Sequence, residues 1–287
     1  MAKTSTALGA ALAIIGTVAI SAAAEETGNK GLLGPWKAAA EVSYVVTGGN
    51  TSTSAFSLGT SFTRKWTNDS LLFKTFILNS DSTTTTRTAR GTEADFEIVE
   101  EKVKRLVAEN YLLAGQYDHR ISKKLLAQAG LSWDRNRFAG VDDRVTVTTG
   151  LGYAWVEGKR TQVNTDAGLT YTLRQYVGQD MESFAGFRFN LAATQKILEN
   201  SSLSTQFVFD DNLKQMNDWR FDWTTSVTAS ISKSLALKTS LRMIYTHVPA
   251  LQGLPLYDPE GLPTGLTVYA ALKNLDTFLT TSIVINF

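Results

Sequence analysis

Residues Val145–Trp155 read VTVTTGLGYAW. Val145, Val147, Thr149, Leu151, Tyr153 and Trp155 share one face of an extended chain, and Thr146, Thr148, Gly150, Gly152 and Ala154 share the other. Successive side chains of a strand point to opposite faces, so the stretch predicts a strand with one apolar face and one small, polar face. Globular strands average about 5–6 residues, whereas a tilted strand crossing a bilayer needs about 9–11. The run is long enough for the second role.

The same grammar repeats along the chain. TQVNTDAGLTYTLR sets Val163, Ala167, Leu169, Tyr171 and Leu173 against Gln162, Asn164, Asp166, Thr170 and Arg174. WRFDWTTSVTASI sets Trp219, Phe221, Trp223, Val227, Ala229 and Ile231 against Arg220, Asp222, Thr224, Ser226, Thr228 and Ser230. About twelve such segments are expected, near 36–47, 53–66, 70–80, 104–120, 123–138, 143–156, 161–175, 184–197, 202–212, 218–231, 235–247 and 273–287. Short turns of Asn, Asp, Gly, Ser and Lys alternate with more varied connections. Two of these are long loops, 81–102 and 248–272, and the second holds four of the five prolines. Proline removes a ladder donor, so its absence from the twelve segments favours a continuous sheet.

Short turns at one end and long loops at the other, with an even strand number, predict an all-β, antiparallel transmembrane barrel of about twelve strands. A soluble periplasmic barrel or sandwich accounts for the alternation but less well for strand length and loop asymmetry. Two segments resist phasing. LLFKTFILN (71–79) is apolar on both faces, and in RLVAENYLLAGQY (105–117) Glu109 and Asn110 lie on opposite faces.

The N-terminus adds an address. Lys3 precedes an apolar stretch from Ala7 to Ile20, and Ala22–Ala24 supply small residues for cleavage. This predicts a signal peptide over 1–24, a periplasmic lead over 25–35 and the barrel over 36–287. A buried N-terminal helix is the competing reading. The sequence has no cysteine, two histidines and a net charge of +1. That excludes disulfides and cysteine chemistry and argues against a nucleic-acid partner.

EVSYVVTGGNTSTSAFSLGTSFTRKW (41–66) and YDHRISKKLLAQAGLSWDRNRFAGVDDRVTVTTGLGYAW (117–155) resemble the bacterial outer-membrane family of salt-stress-induced proteins, domain-of-unknown-function family 481. The Gly48–Thr51 stretch, Tyr117-Asp118 and Asp134–Gly152 carry the likeness. It extends over most of 36–287. The resemblance implies an outer-membrane barrel and a link to osmotic stress, with no catalytic residue or substrate to carry over.

The residues point to a lumen rather than to an active site. Arg144, Asp166, Arg174, Arg188, Asp210, Arg220, Asp222, Lys238 and Arg242 all fall on the polar face and are the expected pore lining. An excess of cations over carboxylates there predicts a passive small-solute channel with weak anion preference. The alternative is a non-conducting barrel, closed by pairing of those charges, whose loops bind a surface ligand. Catalysis is not expected: neither His119 nor His247 has a serine–acid partnership at a telling spacing. No cofactor is expected. Glu93, Asp95 and Glu97 form a weak oxygen-ligand cluster that reads better as a solvated acidic loop. Expected partners are outer-membrane lipid, lipopolysaccharide and, during biogenesis, the barrel-assembly machinery. The terminal run TTSIVINF sets Leu279, Thr281, Ile283, Ile285 and Phe287 toward lipid. It is expected to pair with the first strand, with Phe287 as the membrane-insertion signal.

Overall fold

A computed structural model of the chain describes residues 35–47, 51–91, 96–257 and 262–287. The expected signal peptide and most of the lead lie outside these residues. Fourteen strands follow in chain order: β1 (Trp36–Thr47), β2 (Thr51–Lys65), β3 (Asp69–Gly91), β4 (Phe96–Arg120), β5 (Leu125–Asn136), β6 (Val141–Glu157), β7 (Thr161–Tyr176), β8 (Met181–Leu198), β9 (Ser201–Asn212), β10 (Trp219–Ser230), β11 (Leu235–Thr246), β12 (Leu251–Tyr257), β13 (Pro263–Ala271) and β14 (Leu275–Asn286). Twelve of them close into a barrel in the order β1-β14-β11-β10-β9-β8-β7-β6-β5-β4-β3-β2, and every neighbouring pair is antiparallel. β12 and β13 form a separate hairpin.

The twelve barrel strands match the twelve expected segments. Both long loops need correction. Residues 81–102 are largely strand: β3 and β4 stay in register to Gly91 opposite Phe96, past a bulge at Ser80/Asp81. The run of threonines from Thr83 to Thr86 suits an extended ribbon, because β-branched residues favour it. The connection 248–272 contains β12 and β13, with Pro255 and Pro263 inside them. A two-stranded ribbon has a free edge on each strand, so a missing N–H is tolerated there, and the register shifts between Pro255 and Tyr257.

Burial is inverted relative to a soluble barrel. Leu131, Val147 and Leu169 are 57%, 50% and 60% exposed on the outside. Ser226, Ser240 and Thr146 are 2%, 1% and 4% exposed on the inside. A chain folding in water would leave that apolar belt at a cost of about 1.5–3 kcal/mol per large side chain. In hydrocarbon the cost disappears, and strands without free edges satisfy every backbone group internally. The tight turns at 66–68, 121–124, 158–160, 199–200 and 231–234 share one end with Trp36 and Phe287; we call this the turn end. The β5–β6, β7–β8, β9–β10 and β11–β14 connections mark the opposite, loop end.

Closure pairs β14 with β1. Ala39 faces Asn286, Ala40 faces Ile285, Glu41 faces Val284 and Val42 faces Ile283. The Phe287 amide donates to the Ala38 carbonyl at 3.0 Å, and its ring is 71% exposed at the turn end.

The two unphased segments are now oriented. On β3, Leu72, Lys74, Phe76 and Leu78 point inward while Phe73 and Ile77 point out. On β4, Asn110, Leu112, Gln116 and Asp118 point inward while Leu113 and Tyr117 point out. The interior is therefore not uniformly polar. Phe76, Leu78, Ile244 and Phe278 form a buried apolar cluster, with Leu112 packed against it. Apart from Glu41, β1 and β2 put small buried residues such as Ser43, Ser57 and Ser61 between them, so side chains from β3 and β14 can meet above these strands.

Candidate functional site

The lumen is the site, and register builds it. Asp134 on β5 lies opposite Arg144 on β6. The guanidinium grips the carboxylate with two bonds, Nε to Oδ1 at 2.9 Å and Nη2 to Oδ2 at 2.7 Å. Arg188 on β8 and Arg220 on β10 both lie opposite Asp210 on β9, at 2.6 and 3.0 Å. Arg242 on β11 binds Asp222, its diagonal neighbour on β10, through Nε at 2.8 Å. Arg174 on β7 reaches Glu182 at 2.8 Å and Asp218 at 2.6 Å. Charge-assisted bonds of this kind are short and orient both partners. Together they form a ladder of paired charges along β5–β11 in the loop half of the lumen.

The turn half is built differently. Lys238 donates to Glu41 at 3.0 Å, and Ser282 donates to the other Glu41 oxygen at 2.5 Å. Gln116 donates to Asp118 at 2.8 Å, Ser70 donates to Asp118 at 3.1 Å, and Gln128 donates to Asp166 at 2.7 Å. Gly150 and Gly168 lie opposite each other on β6 and β7. A Cβ on Gly168 would sit 2.2 Å from the Thr149 carbonyl oxygen, so only glycine permits that close approach of the strands.

Between the ladder and the apolar cluster lies a cavity of about 280 Å³. Lys74, Arg144, Arg188, Arg220 and Arg242 line it against Asp134, Asp166 and Asp222. A second cavity of about 50 Å³ lies toward the loop end, where Arg174 and Asp210 join the lining. Eight of the nine expected pore-lining residues thus face one cavity or both. Lys238 does not; it is buried against Glu41. Sequence reasoning passed over Lys74, Asn190, Asp218 and the apolar cluster. The apolar residues at both parities of LLFKTFILN were the available sign that β3 carries apolar groups inward as well.

The loop end is bridged. Gly140 closes the single 3₁₀ turn Arg137–Ala139 with φ +75°. The space where its Cβ would stand is taken by Ala250, at 2.5 Å, and by Leu272, at 3.0 Å. Ala250 follows β11, whereas Gly140 joins β5 to β6, so the base of the β12–β13 hairpin crosses toward the other side of the mouth.

Neither histidine sits in the lumen. His119 Nδ1 lies 2.8 Å from Asp69 Oδ1 at the turn end, where the Tyr117 hydroxyl donates to the same oxygen at 2.5 Å. His247 stacks on Trp219 with centroids 5.0 Å apart and joins Phe209, Phe221 and Tyr245 in an aromatic band at the loop end. At the turn end Arg64 covers Trp66 at 4.8 Å. Two aromatic bands flanking an apolar belt fit the two faces of a bilayer. Glu93 and Asp95 lie outside the described residues, and Glu97 falls within β4 opposite Arg90 rather than in a loop.

A closed antiparallel barrel, apolar outside and polar within, is a transmembrane β-barrel. The chain belongs to the family described as "Protein of unknown function, DUF481", whose family model matches residues 40–258. No curated protein matches it. Among solved structures it is similar to an anion-selective porin from Comamonas acidovorans, at 12% identity over 88% of this chain and 98% of that one, TM-score 0.39. It is also similar to an outer membrane channel from Pseudomonas putida F1, at 9% identity over 88% and 95%, TM-score 0.45.

Proposed function

We propose that the protein is exported to the outer membrane and passes small solutes passively through its lumen, with a weak preference for anions. The observation that carries this reading is the 280 Å³ cavity, whose wall holds five cationic side chains and three carboxylates. A lumen lined by fixed charge of one net sign concentrates the opposite ion. Insertion through the barrel-assembly machinery, contact with lipopolysaccharide and a role in salt stress belong to the same proposal. The test is conductance across a planar bilayer containing purified protein under a KCl gradient. Channel steps with a reversal potential shifted toward chloride support the reading; a membrane that stays at background conductance sinks it.

A second reading is favoured by the paired ladder and by the seating of Ala250 on Gly140. A barrel closed by both would serve as a surface scaffold. Under that reading a Gly140→Leu variant, which unseats the bridge, gains conductance that the parent protein lacks.

A further inference from the structure

Resting on the channel reading, we propose that Lys74 and its apolar surroundings form a binding seat for small organic monocarboxylates with an apolar body. The inward face of β3 runs Leu72, Lys74, Phe76, Leu78, which places one ammonium in an otherwise apolar stripe. Leu72, Lys74 and Phe76 all line the 280 Å³ cavity, as does Leu112 from β4. The other basic side chains of the cavity wall each hold a carboxylate: Arg144 holds Asp134, Arg188 and Arg220 share Asp210, and Arg242 holds Asp222. Lys74 has no ion-pair or hydrogen-bond partner among the described residues. Its register neighbours are Ser61 on β2 and Ala114 on β4, and neither is an acid.

An ammonium flanked by Leu and Phe and left without a counter-charge is costly unless water solvates it or an anionic ligand pairs with it. Chloride would satisfy the charge but leave the apolar wall unused. A neutral apolar molecule would do the reverse. A carboxylate on a short aromatic or aliphatic body satisfies both at once, since ligand pockets pair a mostly apolar lining with a few placed polar groups. Organic ligand pockets start near about 300 Å³, so the cavity suits a body of roughly one ring.

The test uses full-length protein with benzoate as probe, acetate as charge without body and benzyl alcohol as body without charge. Binding is read by titration calorimetry in detergent, and block is read as loss of KCl conductance in bilayers. Benzoate is expected to bind and block about tenfold more tightly than either control. Lys74→Gln should weaken benzoate about tenfold, while Lys74→Arg should stay within about threefold of the parent. Leu72→Asn should weaken benzoate and leave acetate unchanged. Equal affinity for benzoate and acetate, or an unchanged Lys74→Gln variant, overturns the seat. The two proposals fail separately: conductance indifferent to benzoate removes the seat and keeps the channel, and Lys74-dependent binding without conductance does the opposite.

Discussion

The two walls of the lumen solve one problem in opposite ways. Along β5–β11 the interior is filled by charged pairs between adjacent or diagonal strands, such as Asp134–Arg144 and Arg188–Asp210. Where β3 and β4 face β11 and β14, it is filled by Phe76, Leu78, Leu112, Ile244 and Phe278. β10 and β11 stay in register over eleven pairs, whereas β1 and β14 share four. At the short closure seam, apolar packing reaches over β1 and β2 and ties β3 to β14 directly.

The strongest way to break this comparison is Phe278→Ala. It empties the centre of the cluster and should cost about 3–5 kcal/mol, read as a lower urea midpoint in detergent. The matching change on the other wall is the double Asp134→Leu, Arg144→Met. Replacing both members of a pair should leave stability within about 1 kcal/mol or raise it, and a loss as large as that of Phe278→Ala would end the distinction. On the outside of the charged wall, Leu169→Arg puts a cation into the apolar belt. It should cost about 2–4 kcal/mol in lipid vesicles, and a neutral result would contradict membrane burial of β7. Asp210→Asn leaves Arg188 and Arg220 without their shared carboxylate. It should cost about 1–3 kcal/mol and move the reversal potential further toward chloride. The smallest effect is expected from Thr280→Val, because the buried Thr280 hydroxyl has no hydrogen-bond partner among the described residues. Its midpoint should shift by less than about 0.5 kcal/mol, in contrast to Phe278 two residues away.

The barrel was legible because period-two alternation over long runs has few other meanings, and VTVTTGLGYAW alone excludes most folds. The ladder was partly legible. Asp134 and Arg144 are ten residues apart across one hairpin, so their meeting follows from the turn between them. Lys238 and Glu41 are separated by 197 residues, and their contact exists only once the barrel has closed. The inward stripe of β3 was hidden for a different reason. When both faces of a strand carry apolar residues, alternation no longer says which face is which, and only the ladders to β2 and β4 decide. The strand character of 81–91, 96–102, 251–257 and 263–271 was obscured by polar and proline-rich composition, which suits an exposed ribbon as well as it suits a loop.

β3 and β4 run to 23 and 25 residues. About 11 residues suffice to cross the hydrocarbon, so roughly a dozen on each strand remain beyond it. At about 3.3 Å per residue, allowing for tilt, that ribbon stands roughly 30 Å above the lipid boundary. With the belt seated in a bilayer, the paired residues 81–91 and 96–106 are the part of β3 and β4 that reaches beyond the lipid at the loop end.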